Sequence, residues 1–188
     1  MADRDFDNEL HAHESMDNPA KHILLLYDYE ESLTNLLQAS QEVTDKNWLR
    51  VCCGSESHPA IKFLKKNGWS DMTLSPYARL LHDTKRYVGE VWQQIIDRAR
   101  ETRTCTFGFM TGDICHQSSL ENALQVEELY NSNMINGVMY CPYLLNDLLP
   151  NGVNTILELV KQHDQSFLVQ KDKLYKIGWA VRLNSVSQ

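Results

Sequence analysis

The sequence has no glycine-rich phosphate loop: neither GxxxxGK[ST] nor GxGxxG occurs in its 188 residues. That removes the usual means of ATP or dinucleotide binding, in which converging backbone N–H groups and a lysine meet the phosphate charge. It has no basic stripe either. Lys and Arg make no run longer than Lys65-Lys66, and the net charge is −7, which argues against direct nucleic-acid binding. No stretch approaches the ~20 apolar residues of a membrane span, and the polar N-terminus does not read as a signal or transit peptide. The expected setting is the cytoplasm. The five cysteines form no C-x-x-C pair, so a zinc ribbon, a thioredoxin-type site and a secreted disulfide scaffold are not expected.

What is present is a chain with 43% hydrophobic and 23% charged residues, ordinary for a globular domain. An acidic, polar lead-in over 1–20 is expected to be flexible, ahead of one domain over 21–188. "HILLLY", residues 22–27, reads as a buried strand. It is followed by "DYEESL", in which Asp28 is expected to N-cap a helix and Glu31 to complete a capping box. "WLRVCCG" is a second short strand. Pro59 suits the first turn of the next helix, and Asn67-Gly68 its end. A short strand is expected at Met72–Leu74. "DTKRYVGEVWQQIIDRARE" carries Val88, Val91, Trp92, Ile95, Ile96 and Ala99 at helical spacing. "TCTFGFMTGD" reads as a strand ending in a turn, and Ser118 with Glu121 as a second capping box. "GVMYCPYLL" is a strand stopped near Pro142, "NTILELVKQHD" a helix, "SFLVQ" a strand, and "KLYKIGWAVRL" an edge strand.

Short apolar strands alternating with amphipathic helices define an α/β fold: three layers, α/β/α, around a mostly parallel sheet. Ligands in such sheets bind outside the carboxyl ends of the strands, which directs attention to Tyr27-Asp28, Gly54-Ser55-Glu56, Thr111-Gly112-Asp113 and Pro142-Tyr143. The turn after the first strand is acidic where a phosphate loop would be cationic. Asp28, Glu30 and Glu31 themselves complement the positive end of the helix, and they would repel a triphosphate by ~1 kcal/mol or more per close pair.

"HILLLYDYEESL", "GSESHP", "FMTGD", "LENALQVEELYN", "VMYCPYLL" and "ILELVKQHDQSFLV" follow one another in an order that resembles the MEDS domain, the methanogen/methylotroph sensory domain of DcmR-type regulators and sensor kinases in archaea and bacteria. The resemblance spans roughly residues 21–169. It implies a RecA-like fold, related to the P-loop NTPases but without the Walker A loop. It also implies a non-enzymatic sensory domain in signal transduction or transcriptional regulation that binds a small, hydrocarbon-derived molecule. On this resemblance His22 and Tyr27 match the start of the first strand, and Ser55, Glu56 and Pro59 the turn after the second. Gly112 and Asp113 match a "TGE"-like turn, Glu127 an acidic helix position, and Cys141 with Tyr143 a "CQYD"-like turn. Pro142 and Leu144 depart from that last pattern. The chain carries no kinase or helix-turn-helix module, so it is expected to act as a free-standing domain.

The expected ligand-binding set is therefore Tyr27, Asp28, Ser55, Glu56, Gly112, Asp113, Cys141 and Tyr143, with Tyr27, Tyr77, Tyr140 and Tyr143 as aromatic walls. No catalytic residue, cofactor or metal is expected. Pairing of Glu56 with Asp113 around a cation is a weaker alternative. Cys115 and His116 are neighbours whose side chains diverge, which disfavours shared metal binding. His58 and His11-x-His13 are weak metal candidates, and Cys141 is the better thiol-sensor candidate. The expected partners are a small molecule and, through the resemblance, a sensor kinase or transcription regulator, with a homodimer consistent with RecA-like assembly. An interaction adaptor is the alternative reading, and a degenerate nucleotide hydrolase or thiol-dependent enzyme a lesser one.

Overall fold

A computed structural model describes residues 4–6, 10, 21–99, 102–132 and 135–178. Among the described residues, eight strands form one sheet: β1 (Arg4–Asp5), β2 (Lys21–Tyr27), β3 (Leu49–Cys53), β4 (Ser70–Asp71), β5 (Thr104–Gly108), β6 (Gly137–Leu144), β7 (Gln165–Gln170) and β8 (Lys173–Lys176). Their spatial order is β1-β8-β7-β2-β6-β5-β3-β4. All neighbours from β7 to β4 run parallel, and only the β7–β8 and β8–β1 pairs are antiparallel. Setting aside β1, β8 and the two-residue β4, the parallel strands lie fifth-first-fourth-third-second in chain order, which fits the expected RecA-like fold.

From Glu30 onward, the described α-helices are α1 (Glu30–Val43), α2 (Pro59–Lys66), α3 (Arg79–His82), α4 (Thr84–Arg98), α5 (Met110–Gln117), α6 (Leu120–Ser132), α7 (Leu145–Leu148) and α8 (Gly152–Lys161). They divide between the two faces. The pleat of β2 sends Ile23, Leu25 and Tyr27 into a core with Leu33, Leu36 and Leu37 of α1 and Ile61 and Leu64 of α2. Leu24 and Leu26 enter the opposite core with α4, α5, α6 and α8. A strand buried on both faces carries no alternation of polarity, which is why β2 reads as one apolar run. In α4, Tyr87, Val88, Val91, Trp92 and Ile95 are buried on one stripe, each such side chain worth about 1.5–3 kcal/mol of transfer free energy. Among the described residues, no helix is long and apolar enough to cross a membrane.

Several local expectations are corrected. Helix α1 starts at Glu30 with Tyr29 as N-cap and no side-chain cap bond; Asp28 instead accepts from the Ser32 hydroxyl at 3.3 Å. The short strand after α2 is Ser70–Asp71, at the sheet edge, not Met72–Leu74. Strand β5 ends at Gly108, and "MTGD" is the first turn of α5 rather than a loop. At α6 the serine that accepts a backbone N–H, from Asn122 at 3.1 Å, is Ser119 and not Ser118. Strand β6 runs through Pro142 to Leu144. Its pairing with β5 stops at Tyr140, leaving a one-sided ladder at Pro142 in which a residue without an N–H is tolerated. Within the acidic lead-in, Arg4–Asp5 pair with β8, and Phe6 and Leu10 are buried.

Candidate functional site

At the carboxyl ends of β2, β5 and β6 the chain leaves a cavity of about 190 Å³. Tyr27 and Glu30 line it from the β2–α1 turn, and His58 from the approach to α2. Phe109, Gly112, Asp113 and His116 line it from the start of α5, and Pro142, Leu144 and Asp147 from the end of β6 and α7. Glu30 and Glu31 occupy the first turn of α1, so the helix end that would bind a phosphate is already faced by carboxylates. Tyr27 donates to Glu30 Oε1 at 3.4 Å, and burial, followed by the Glu30 charge, pushes its phenol up.

Asp113 is the most constrained polar group of this crevice. Its Oδ2 accepts the Tyr77 hydroxyl and the Ser55 N–H at 3.4 Å. Burial raises its carboxyl above the usual range, outweighing the opposing pull of Tyr77, His58, Ser55 and His116. His58 accepts from Ala60 N at 3.2 Å through Nδ1 and packs on Phe109 with ring centroids 4.7 Å apart. His116 Nδ1 lies 3.0 Å from Asp147 Oδ1, and that hydrogen bond, then the Asp147 charge, raises its pKa. Cys115 turns into the core, so the two neighbours diverge as their spacing requires.

The expected site residues separate into four groups. Tyr27, Gly112 and Asp113 line the crevice. Ser55 and Glu56 line an adjoining depression with Thr73, Leu74 and Tyr77, where exposed Glu56 pairs with Lys65 at 3.5 Å. Asp28 is taken up by Ser32. Gly112 has a packing reason to be glycine: a Cβ there would stand 2.6 Å from the Pro142 carbonyl oxygen. Cys141 and Tyr143 do not face the crevice. The β6 pleat turns them into the core on the α6 face, and Tyr140 into the opposite one. Of the four tyrosines expected to wall a pocket, Tyr27 borders the crevice and Tyr77 the depression beside it. The His11 and His13 pair lies outside the described residues.

Cys141 and Tyr143 belong instead to a buried polar cluster beneath α6. His22 from β2, Glu127 from α6, Cys141 from β6 and His163, just past α8, converge so that one donor atom from each lies within 4.8 Å of all the others. His22 Nε2 is 3.0 Å from Glu127 Oε2 and 3.2 Å from Cys141 Sγ. Cys141 Sγ and His163 Nε2 each stand 3.7 Å from Glu127 Oε2. The second Glu127 oxygen accepts the Tyr143 hydroxyl at 2.5 Å. The two imidazole rings lie against each other, centroids 4.0 Å apart, and the His22 backbone is clamped to Asp164 by two 2.8 Å bonds.

Burial raises the Glu127 carboxyl, but the charges of His163 and His22 and the bonds from His22 and Tyr143 bring it down to about 2. Burial lowers His163 to about 4. For His22, burial also acts downward, yet the Glu127 and Asn131 contacts leave it raised. Burial first, then the Glu127 carboxylate, hold the Cys141 thiol well above its ordinary value. Cys141 is therefore the reverse of an exposed, easily ionised sensor thiol. No sequence spacing marked this cluster, and His163 was not singled out at all; its one signal is a histidine near the end of an amphipathic helical stretch.

No family model and no curated protein sequence matches the chain. Among solved structures, the chain is similar to PH0250 from Pyrococcus horikoshii OT3, with a TM-score of 0.58, 8% identity and 90% of each chain covered. At that identity the likeness concerns the fold, a three-layer α/β/α arrangement. The cytoplasmic domain of EssC aligns over 80% of this chain and 30% of its own, with 14% identity and a TM-score of 0.39.

Proposed function

We propose that the chain is a non-enzymatic, sensory ligand-binding module that takes a compact organic molecule in the crevice outside β2, β5 and β6. The observation that carries this reading is Asp113, a carboxylate held by Tyr77 and Ser55 against a burial cost. A carboxylate kept at such a cost in a cleft is a marker of function. Beside it, Phe109, Pro142 and Leu144 supply apolar wall, while Glu30 and Asp147 add negative charge. The complementary ligand is a short hydrocarbon derivative bearing an amine or hydroxyl that donates to Asp113. A cavity of about 190 Å³ sits below the usual range for drug-sized ligands, so the molecule has few heavy atoms. Nucleotides are disfavoured by the acidic start of α1. Output to a kinase or transcription regulator belongs to the same proposal.

The test is a thermal-shift screen of the purified chain against short amines and alcohols, with magnesium-ATP alongside. A ligand at 100 times its dissociation constant stabilises by about 2.7 kcal/mol. Stabilisation by amines or alcohols that is lost in Asp113→Asn and weakened in Tyr27→Phe is the expected result. A response to magnesium-ATP alone would overturn it.

A further inference from the structure

We propose that His22, Glu127, Cys141 and His163 form a buried, mononuclear site for a zinc-class divalent ion. The proposal is independent of any ligand in the crevice.

The first argument is geometric. A tetrahedral zinc with nitrogen or oxygen at ~2.0–2.2 Å and sulfur at ~2.3 Å separates neighbouring donors by roughly 3.3–3.6 Å. The separations are 3.0, 3.2, 3.7 and 3.7 Å, and the remaining two are within 4.8 Å. Four donors from four separate parts of the chain lie at the corners of one small polyhedron.

The second argument comes from hydrogen positions. The Asn131 amide donates through Nδ2 to Gln162 O at 2.8 Å and Gln162 Oε1 at 2.9 Å. Its oxygen therefore faces His22 Nδ1 at 3.0 Å and accepts from it. His163 Nδ1 likewise donates to the Leu159 carbonyl at 2.8 Å. Both rings are thus held with Nδ1–H outward, and in the neutral form each Nε2 presents a lone pair to the same carboxylate. At His163 this leaves a buried Nε2 without a hydrogen-bond partner. A lone pair facing a carboxylate is a contact between two acceptors, and a cation between them satisfies both. Fixing a ligating histidine through its other ring nitrogen is the general second-shell device of metal sites. Tyr143 does the same for Glu127 by binding its outer oxygen.

The third argument is charge. Glu127 and the Cys141 thiolate contribute two negative charges and the neutral histidines none, so a divalent ion gives a site of net zero charge. All four residues are buried, where an uncompensated charge is costly. On binding, the Cys141 S–H proton and any proton between His22 and Glu127 leave to solvent, and four metal–ligand bonds replace those contacts. Two nitrogens, one thiolate and one carboxylate suit zinc and its cobalt analogue. Magnesium and calcium require shells of six or more oxygens. With the fourth position filled by Cys141, the site is closed and structural rather than catalytic, tying α6 and the end of α8 to β2 and β6.

The test uses the full chain made without a histidine tag, stripped with chelator and titrated with cobalt(II) and zinc(II). One cobalt per chain is expected, with the visible absorption of a tetrahedral ion and a thiolate-to-cobalt charge-transfer band in the near ultraviolet. Zinc should displace it and raise the melting temperature. Cys141→Ser abolishes the charge-transfer band, whereas Cys115→Ser and His116→Gln leave it unchanged. Asn131→Ala, which retains all four ligands, weakens affinity roughly 10–100-fold. Absence of any cobalt spectrum or zinc-dependent stabilisation in the wild-type chain would overturn the proposal. So would a spectrum that survives in Cys141→Ser, because the ion would then be held by other donors.

Discussion

Tyr143 donates its phenol hydrogen to Glu127 Oε1 over 2.5 Å, with both side chains in the core. This bond links β6 to α6 and occupies the one Glu127 oxygen not turned toward the histidines. A buried hydrogen bond to a charged group is worth about 1.5–3 kcal/mol. Tyr143→Phe, which keeps the ring, should therefore lower unfolding free energy by about 2 kcal/mol, read as a shift of the urea midpoint at unchanged slope. Glu127→Ala should cost more, about 3–5 kcal/mol, because it leaves His22, whose pKa is raised, without its counter-charge and the Tyr143 hydroxyl without its acceptor. If Tyr143→Phe left the midpoint in place, the bond would have no net worth and the cluster's rigidity would need another source.

Gly112 lines the crevice but owes its identity to packing. The Pro142 carbonyl lies 2.6 Å from where a Cβ would stand, and both belong to elements that must touch, α5 and β6. Gly112→Ala should destabilise by about 1–3 kcal/mol through overpacking. Its effect on ligand binding should be indirect, by shifting α5 and with it Asp113. Calorimetric unfolding of the variant decides the matter: an unchanged melting temperature would show that the two elements separate freely.

The sheet and most helices were legible because each strand is a short apolar run and each helix carries a stripe, as in Tyr87 to Ile95. Two features of the strand ends were not. "MTGD" has turn-forming residues, yet it begins α5 because Met110, Thr111, Ile114 and Cys115 find a core to bury in, and packing overrides weak local preference. Strand β6 is buried along nearly its whole length, so no alternation of polarity revealed which of Cys141, Pro142 and Tyr143 face the crevice. The buried cluster was hidden for a third reason. Its members come from distant points of the chain and meet only through the strand order that sets β2 beside β6. His22 and Glu127 drew notice through a family resemblance, while His163 had no pattern to give it away.

His116 offers a pH measurement away from the buried cluster. It is largely exposed and bonded to Asp147, at 3.0 Å, which raises its pKa. A histidine whose folded pKa is raised contributes stability below its unfolded pKa of ~6.5 and loses that contribution as pH rises through the folded value. The titration midpoint of the His116 ring by NMR should therefore lie above the unfolded value and fall in Asp147→Asn. The shift should also shrink at high salt, since exposed pairs are screened. A midpoint indifferent to Asp147→Asn would remove this ion pair from the crevice's electrostatics.

Asp113 runs the opposite way, and its sign separates a functional carboxylate from a stabilising one. Burial raises its folded pKa, so the folded chain holds the Asp113 proton more tightly than the unfolded chain does. Its ionisation then weakens the fold: the contribution is most favourable at low pH and is lost as pH rises from ~4, the unfolded value, through the raised folded one. Asp113→Asn preserves an oxygen to accept from Tyr77 and Ser55 while removing the charge. The variant should melt above the wild type at neutral pH, and the difference should vanish below about pH 4, where both side chains are neutral. The same variant should lose stabilisation by small amines, because the group that costs the fold is the group that meets the ligand. A variant less stable at neutral pH would mean that the carboxylate is held for structure, and the crevice would lose its strongest claim to being a binding site.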